Sequence, residues 1–423
     1  MTTLYERWRQ VAQEHRGEVA LYDPANGNRC TFAQLASKAE KKSPERSVAF
    51  PQGQDFVLTL LRAWRSGQVA CPLEPGQERP HFANLPANCT HLKITSATAG
   101  SARVVCFTGE QLAADADNIV QTMGLRPDWP NLGVISFAHS YGFSNLILPL
   151  LLHGIPLVVV ESPLPEAVRR AAGNFDAVTL AAVPALWRAW HEASAIPHNV
   201  HLAISAGAPL SIELEGSVNA KQGLKLHNFY GSTECGGIAY DSTTTPRTEP
   251  AYVGTAMQNV RLSVARNGCL QVRSAAVGQT YWPKPAPALA RGRFTSSDVA
   301  EIIDGSVYLR GRAGDQIHVA GRKVAPDSIE RALQSHPAVR ECLVFGAPSA
   351  DKERTETIVA CVASRSAVSG ESLKHFLLDK IPAWQVPREW FFVKSLEPNG
   401  RGKISRVDWK KRYLKKHQRP SIR

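Results

Sequence analysis

Short apolar runs alternate with amphipathic stretches over the first half of the chain. Runs with the length of buried strands end in glycine, proline or small polar residues, at 47–51, 133–138, 156–161, 177–184 and 201–207. Apolar residues recur at helical spacing at 4–15, 55–67 and 165–175. Strands that alternate with helices predict an α/β fold with a largely parallel sheet. In such sheets, ligands bind where the strands end.

The most apolar segment, 145–160, is interrupted by Pro149, by the pair His153–Gly154 and by Pro156. A helix that crosses a bilayer needs about 20 consecutive apolar residues. We therefore predict a buried helix, a turn and a buried strand here, and we expect no integral membrane segment.

The pattern changes after Val260. Two stretches of alternating residues contain Asn267–Gly268 and Asp304–Gly305, dipeptides typical of tight hairpin turns. Beyond them we predict a smaller unit, and we place the domain boundary near 312–314. Its predicted elements are a helix at 326–336, strands at 341–348 and 356–364, and a helix at 371–381.

Composition adds a basic bias to this picture. The chain has 423 residues and a formal charge of +12, with ordinary apolar (43%) and charged (20%) contents. Residues 407–423 hold seven lysines and arginines against one aspartate. This basic tail is either a solvated segment or a docking patch for an acidic protein or an anionic cofactor. We expect no nucleic-acid partner, because the basic residues are not interleaved with aromatics on a recognisable module.

The cysteines bear on metal binding and location. Eight are dispersed without a C-x-x-C pair, which argues against a zinc site and against a compact disulfide framework. Reduced thiols predict a cytoplasmic protein. Residues 1–15 are charged and have no apolar core, so we expect no signal peptide.

The strongest local signal is "NFYGSTECGG", residues 228–237. The ring of Tyr230 can stack on a base. The hydroxyl of Thr233 and nearby backbone N–H groups can hold a phosphate, and Glu234 can hold Mg²⁺ that bridges phosphates. Alone, the stretch fits a polar turn with a capping threonine equally well.

Other motifs accompany this one in a fixed order. They are "GAPLS" at 207–211, "SSDVAEI" at 296–302, "LRGRAGDQIHVAGRKVAPDSIE" at 309–330 and "PNGRGKISR" at 398–406. Together the five resemble the acyl-adenylate-forming superfamily, which includes acyl- and aryl-CoA synthetases, firefly luciferase and the adenylation domains of peptide synthetases.

The resemblance implies an α/β fold with two domains. A shortened N-terminal domain over 1–312 would have mostly parallel sheets and a small β-barrel-like subdomain. A small, mobile α+β domain over 313–423 would carry the catalytic lysine and the basic tail.

The resemblance also implies a reaction. ATP, with Mg²⁺, would activate an aryl or fatty carboxylic acid as acyl-AMP and release pyrophosphate. The thiol of CoA, or the phosphopantetheine of an acyl carrier protein, would then take the acyl group.

Residue by residue, the resemblance first implies a nucleotide site. Gly207 and Ala208 match the motif that lines the adenine, and Tyr230 matches the ring that stacks on it. Asp298 and Arg312 match the residues that contact the ribose. The full nucleotide-binding set is Thr95, Ser96, Thr98, Gly100, Gly207, Ala208, Asn228, Tyr230, Gly231, Ser232, Asp298 and Arg312.

The implied catalytic residues are Lys403, Thr233, which contacts the α-phosphate, and Glu234, which binds Mg²⁺. An ammonium group between a carboxylate and the α-phosphate stabilises the charge that develops as the two anions meet. On charge alone, Lys403 would be one more surface lysine of the basic tail. Gly314 matches the hinge, where glycine absorbs large backbone changes, and Gly321 lies on the loop that faces the thiol.

The implied acid site is the segment Ser136–Asn145. His139, Tyr141 and Gly142 are its candidate acid-binding residues, and a buried, merely structural His139 is the alternative. The residues around them look more like acyl- and aryl-CoA ligases than like amino-acid activators.

The phosphate loop "TSATAGSAR", residues 95–103, departs from the family pattern T-S-G-T-T-G-x-P-K. Alanines replace a glycine at 97, a threonine at 99 and a proline at 102, and Arg103 replaces a lysine. An arginine keeps the positive charge but not the geometry of a lysine. A second hypothesis follows from these changes: a degenerate, non-catalytic homologue that binds nucleotide or a partner protein.

Overall fold

The computed structural model describes residues 3–41, 54–74, 77, 84–95, 103–319, 322–349, 356–397 and 404–417. Several residues singled out from the sequence lie outside this part of the chain. They are Ser96, Thr98, Gly100, Gly321 and Lys403, together with the strand predicted at 47–51.

Helices and strands alternate as far as Tyr240. In chain order they are α1 (Leu4–Glu14), β1 (Val19–Asp23), β2 (Asn28–Thr31), α2 (Phe32–Glu40), α3 (Gln54–Arg65), β3 (His91–Ile94), β4 (Val104–Phe107), α4 (Gly109–Met123), β5 (Asn131–Gly133), α5 (Ser140–Gly142), a π-helical stretch (Phe143–Ile147), α6 (Leu148–His153), β6 (Leu157–Val159), α7 (Pro165–Ala172), β7 (Val178–Ala182), α8 (Pro184–Glu192), β8 (Val200–Ser205), α9 (Ile212–Gln222), β9 (Leu226–Ser232) and β10 (Gly236–Tyr240).

Parallel pairing joins the strands β1, β6, β5, β7, β8 and β9 in that order. The α/β prediction is thus confirmed. So are the buried helix, turn and strand predicted at 145–160, which form the end of the π-helical stretch, α6 and β6. Among the described residues, no helix is long and apolar enough to cross a membrane.

Helices cover both faces of the parallel strands. One apolar cluster joins the sheet to the first four helices and α6, and another joins it to α7, α8 and α9. Neighbouring residues of β6 show the alternation, because Leu157 belongs to one cluster and Val158 to the other. On α8, Trp187 and Trp190 lie three residues apart and are both fully buried, as expected for one face of a helix.

Antiparallel strands continue the sheet beyond β10. In chain order the next strands are β11 (Tyr252–Ala256), β12 (Arg261–Val264), β13 (Cys269–Arg273), β14 (Thr280–Trp282), β15 (Leu289–Ala290), β16 (Arg293–Ile303) and β17 (Ser306–Arg312), and all but β14 belong to this sheet. The predicted hairpins β12–β13 and β16–β17 are present. Strand β14 leaves this sheet and pairs with β4, which pairs in turn with β3.

The remaining elements form the predicted smaller α+β unit. They are a 3₁₀ turn (Ala313–Asp315), β18 (Ile317–Val319), β19 (Arg322–Val324), α10 (Pro326–Gln334), β20 (Val339–Pro348), β21 (Glu356–Ser364), α11 (Gly370–Leu378), a 3₁₀ turn (Ala383–Gln385), β22 (Glu389–Val393) and α12 (Arg406–His417). Apolar residues of α10 and α11 pack on one face of β20 and β21, and Trp409 and Tyr413 of α12 pack on the other.

One strand is shorter than predicted. The apolar run 133–138 was expected to be a strand, but β5 ends at Gly133. The N–H of Val134 turns back to the carbonyl of Leu132, and the N–H of Ala138 donates to the Ser136 hydroxyl. These local hydrogen bonds compete with the sheet ladder, so the chain leaves the sheet and leads into the segment predicted to hold the acid.

Candidate active site

The predicted site residues collect along one edge of the sheet. Strands β5, β7, β8 and β9 are parallel neighbours, so their carboxyl ends lie side by side. Gly207 and Ala208 follow β8, Tyr230 lies near the end of β9, and the segment Ser136–Asn145 follows β5. Binding residues in parallel sheets are expected at this edge.

A three-residue cluster forms the predicted ribose end. The hairpin β16–β17 places Asp298 opposite Arg312. The Arg312 Nε lies 3.0 Å from Asp298 Oδ1, and the Tyr230 hydroxyl donates to Asp298 Oδ2 over 2.5 Å. The Asp298 N–H donates to the Ser296 hydroxyl, which holds the start of this turn. The carboxylate is thus fixed between a cation and a phenol.

The charge states of the cluster are well defined. Burial and then the negative charge of Asp298 raise the pKa of Tyr230 well above its usual value, so the phenol remains a hydrogen-bond donor. Burial opposes the charge of Arg312, but the Asp298 carboxylate outweighs it and raises the pKa of the guanidinium group. A carboxylate with a fixed orientation suits two vicinal hydroxyl donors, such as those of a ribose.

The predicted adenine side is open. Gly207, Ala208 and Pro209 are exposed after β8, and the φ of +87° at Gly207 favours glycine. Asn228 is buried on β9. The exposed backbone of 207–209 is therefore free of side-chain cover at the end of the strand that neighbours Tyr230.

A tight turn between β9 and β10 carries Thr233 and Glu234. At Gly231 a Cβ would come within 2.8 Å of the Gly236 carbonyl oxygen, so glycine allows the two strands to close. The Ser232 hydroxyl contacts the Cys235 thiol over 3.3 Å. Both Thr233 and Glu234 are partly exposed at the edge of the sheet.

Tyr281, a residue that the sequence reading missed, holds Glu234. The Tyr281 hydroxyl donates to Glu234 Oε1 over 3.0 Å, and the Gly278 N–H donates to the Glu234 carbonyl over 2.8 Å. The guanidinium group of Arg103 lies 4.9 Å from the centre of the Tyr281 ring. Burial and the charge of Glu234 raise the pKa of the phenol. The aromatic pair Tyr281–Trp282 after a hairpin was the signal available in the sequence.

Arg103 also closes the base of the predicted phosphate loop. The Thr95 N–H donates to the Arg103 carbonyl over 2.8 Å, and the Arg103 N–H donates to the Thr95 hydroxyl over 2.9 Å. Residues 96–102 between them lie outside the described part of the chain. The side chain of Arg103 therefore lies against the ring of Tyr281, whose hydroxyl holds the carboxylate predicted to bind Mg²⁺.

The residues present fit Mg²⁺ in one respect. In the described part of the chain, no group of three or more histidine, cysteine, aspartate or glutamate side chains could hold a metal ion. Magnesium in nucleotide sites is usually held by one or two carboxylates together with phosphates. Glu234, on an exposed turn and accepting a hydrogen bond from Tyr281 on Oε1, is such a carboxylate.

The predicted acid end is built differently. His139 is exposed, and its Nδ1 accepts the Tyr141 N–H at the start of α5. The Tyr141 hydroxyl is buried and points to the carbonyl oxygens of Ile204 and Ala182, at 3.3 and 3.5 Å. A Cβ at Gly142 would lie 2.1 Å from the Ser136 carbonyl oxygen. These contacts fix the backbone of the segment more than they present polar groups to a ligand.

The predicted hinge lies at the junction of the two units. Gly314 occupies the 3₁₀ turn Ala313–Asp315, and a Cβ there would meet no atom within 4 Å. Asp315 forms an ion pair with Arg406, whose Nη2 also lies 2.8 Å from Glu330 Oε1. Arg406 begins α12, so the start of this helix is anchored beside the hinge. In the sequence, Arg406 follows Lys403 by three residues.

The chain is similar in sequence to known proteins. The family model of AMP-binding enzymes matches residues 85–282, and that of the AMP-binding enzyme C-terminal domain matches residues 328–403. The feruloyl-CoA synthase of an Amycolatopsis species is 25% identical over a 343-residue alignment that covers 76% of this chain and 69% of that protein. The 2-succinylbenzoate–CoA ligase of Salmonella typhimurium is 26% identical over a 360-residue alignment that covers 83% of this chain and 75% of that protein.

A solved structure agrees at the level of the fold. ATP-bound MatB from Rhodopseudomonas palustris superposes with a TM-score of 0.86 at 19% identity, over 97% of this chain and 99% of that one. With both family models matched in order, the chain belongs to the AMP-binding enzymes of the acyl-adenylate-forming superfamily.

Proposed function

We propose that the protein uses ATP to activate a carboxylic acid as acyl-AMP and then transfers the acyl group to the thiol of CoA. The observation that carries this proposal is the cluster of Tyr230, Asp298 and Arg312 beside the turn that holds Glu234. Both features lie at the strand ends where a nucleotide is expected. The similarity to CoA ligases supports the choice of acceptor.

The residues divide the nucleotide between them. Asp298 accepts from the ribose hydroxyls, and Arg312 and Tyr230 hold its carboxylate in place. The ring of Tyr230 and the exposed backbone at Gly207 and Ala208 take the adenine, with Asn228 behind them. Thr233, with Gly231 and Ser232, contacts the α-phosphate, and Thr95 begins the loop for the β- and γ-phosphates.

In the first step, a carboxylate oxygen of the acid attacks the α-phosphorus. The new C(O)O–P bond forms as the bond to pyrophosphate breaks, and pyrophosphate leaves. Lys403 supplies the ammonium group that offsets the charge of the meeting anions. When bound at Glu234, Mg²⁺ would neutralise phosphate charge, while Tyr281 keeps that carboxylate oriented.

In the second step, a thiolate attacks the acyl carbon, and AMP leaves with the oxygen. Lys403 has no part in this step, and we propose that it leaves as residues 313–423 rotate against 1–312 about Gly314. Gly321 would then lie on the loop that faces the thiol. The packing of α10 against β17 is the contact that such a rotation would change.

The acid itself is proposed at the level of a class. Both curated relatives described above are named for acids with an aromatic ring, so an aryl acid is the first choice and a fatty acid the second. The segment with His139, Tyr141 and Gly142 would line its pocket. A carrier protein that docks on the basic α12 is the alternative acceptor, and a cytoplasmic location stays a prediction.

Pyrophosphate release tests the proposal. The full chain is given Mg·ATP and a panel of aryl, short-chain and long-chain acids, with CoA added in a second series. We expect acid-dependent pyrophosphate release, hydroxamate formation when hydroxylamine replaces CoA, and loss of both in Lys403→Ala. Silence across the whole panel would contradict the proposal.

The second candidate function, a non-catalytic nucleotide-binding homologue, rests on the substituted loop. Calorimetry separates the two proposals. ATP binding without turnover for any acid would favour the non-catalytic homologue. The position of Arg103 beside Tyr281 and Glu234 argues for a loop that still serves the nucleotide.

A further inference from the structure

A lysine and an aspartate are buried together beneath residues 231–237, the turn between β9 and β10 that we call the nucleotide turn. Lys93 of β3 and Asp115 of α4 have side chains that are only 4% and 2% exposed, and Lys93 Nζ lies 3.6 Å from Asp115 Oδ2. The rings of Phe107 and Phe143 flank the ammonium group, with centres 4.9 and 5.4 Å away. The pair therefore sits in an apolar setting where an unpaired charge would be costly.

Each end of this pair reaches a different part of the site. Lys93 Nζ donates to the Ser144 hydroxyl over 3.0 Å, and that hydroxyl donates to Asp115 Oδ2 over 2.6 Å. Ser144 lies in the π-helical stretch that directly follows Gly142. On its other side, Asp115 Oδ1 accepts the Gly237 N–H over 3.1 Å.

The contact with the nucleotide turn is close. A Cβ at Gly236 would lie 1.9 Å from Asp115 Oδ1, so the carboxylate is pressed against the backbone that follows Glu234. Lys93 precedes Thr95, the first residue of the phosphate loop, by two positions. The Asp115 carboxylate thus contacts both the nucleotide turn and residues 139–147, which we call the acid segment. Its partner, Lys93, lies just before the phosphate loop in the sequence.

Stability alone is a weak reason for such a pair. Replacing a buried ion pair by apolar residues of similar volume is often neutral or stabilising, because desolvation offsets much of the attraction. A hydrogen-bonded network that is fully satisfied, in contrast, fixes one arrangement of the segments that it joins.

We propose that Lys93, Asp115 and Ser144 are positioning residues that couple the acid segment 139–147 to the nucleotide turn 231–237. The inference rests on the proposed function for the identity of the two ligands. Because Ser144 and Gly237 share one carboxylate, a ligand that orders either segment favours the bound arrangement of the other. Acid and ATP then bind with positive cooperativity, and the effect is reciprocal.

Helix α4 offers a matched control. Asp117 lies two residues from Asp115 and takes the same substitution, but it pairs with Arg7 and His153 in the helix layer. Burial opposes the charge of Asp117, but hydrogen bonds from His153 and Arg7 outweigh it and lower its pKa to about 2. Loss of Asp117 should therefore cost stability without touching either segment of the site.

Hydrogen exchange of the full chain tests the coupling without turnover. Wild type, Asp115→Asn and Asp117→Asn are compared with and without Mg·ATP, in the absence of acid. In wild type and Asp117→Asn, we expect Mg·ATP to slow exchange in both 229–240 and 139–147. In Asp115→Asn, protection should remain in 229–240 and disappear in 139–147. Equal protection of 139–147 in the two variants would overturn the proposal.

Kinetics give a second readout. In wild type, the apparent KM for ATP should be lower at saturating acid than at limiting acid by about fivefold or more, the usual range of coupling between sites. In Asp115→Asn the ratio of these two KM values should fall to within about twofold of unity. In Asp117→Asn the ratio should remain as in wild type. If Asp115→Asn does not fold, Ser144→Ala carries the same test and Ser144→Thr should restore the coupling.

The two proposals fail in different ways. A wild-type protein that binds no ATP contradicts the proposed function. The coupling alone is contradicted if the wild type turns over an acid and the Ser144→Ala and Asp115→Asn variants keep the wild-type ratio of KM values for ATP at limiting and saturating acid.

Discussion

The ribose end and the acid end of the candidate site are built on different principles. At the ribose end, Asp298 is held by the side chains of Arg312 and Tyr230 through charged hydrogen bonds. At the acid end, Gly142 allows a close approach to the Ser136 carbonyl oxygen, and the Tyr141 hydroxyl donates to a carbonyl oxygen of the sheet. The ribose end thus presents polar side chains, whereas the acid end is defined by how its backbone packs.

This difference separates the reaction from the substrate. Charged hydrogen bonds contribute about 1.5–3 kcal/mol each, so we expect the residues that make them to recognise the nucleotide. An apolar pocket discriminates by only about 1–3 kcal/mol for each methylene group. Its selectivity comes from the sum of many packing contacts, which no single residue announces.

The largest effect is expected for Lys403, the lysine that we propose for the adenylation step. Lys403→Ala should reduce acid-dependent pyrophosphate release by about 100- to 1,000-fold, because the charge that develops on the bridging oxygens loses its partner. Thioester formation from added acyl-AMP should change little. A variant that keeps a tenth of the wild-type rate of pyrophosphate release would show that Lys403 is not the catalytic lysine of the adenylation step.

A smaller, one-sided effect is expected at the ribose end. Asp298→Asn should raise the KM for ATP by roughly 10- to 100-fold, because charged hydrogen bonds to the ribose are lost, while the KM for the acid stays within a factor of about three. Glu301→Gln is the matched control. It breaks the exposed pair with Arg310 on the same hairpin and should change neither KM, since exposed pairs contribute little. Equal effects of the two variants would refute the role of Asp298.

The next effect concerns Glu234. Tyr281→Phe removes one hydrogen bond to its carboxylate and should raise the Mg²⁺ concentration for half-maximal activity by about tenfold or less. Titration of Mg²⁺ at saturating ATP measures it, with Tyr308→Phe as a control whose ring packs on Tyr252 away from Glu234. An unchanged Mg²⁺ dependence would show that Tyr281 has no part in holding the carboxylate.

The smallest effect is expected at His139. His139→Ala should change the KM for the acid by a factor of about five or less, the worth of one helix-capping hydrogen bond, and should leave the KM for ATP unchanged. Steady-state assays with the best acid of the panel would measure both. A loss of more than about 100-fold in acid turnover would make His139 a direct ligand of the carboxylate and break the contrast between the two ends.

The clustering of Tyr230, Asp298 and Arg312 was largely predictable from the sequence, and their contact with a ribose stays a prediction. These residues lie in short motifs, and the turn at Asp304–Gly305 closes the hairpin that carries two of them. A one-residue register shift between Val299 and Ala300 then brings Asp298 opposite Arg312. The sheet edge was predictable too, because strands and helices alternate over the first half of the chain.

Long-range pairings escaped the sequence. Tyr281 reaches Glu234 because β14 leaves its neighbours and pairs with β4, and no local pattern announces such a crossing. Lys93 lies within the buried strand β3, and only the tertiary fold brings Asp115 and Ser144 to it. Residues 133–138 were read as a strand, because their apolar run conceals the local hydrogen bonds that turn the chain off the sheet.

The most direct test of the account is pyrophosphate release from Mg·ATP by the full chain, measured with and without each acid of an aryl and fatty panel. The account predicts release that requires an acid, saturates with it and vanishes in Lys403→Ala. A protein that binds ATP but releases no pyrophosphate with any acid, or releases it equally without one, would contradict it.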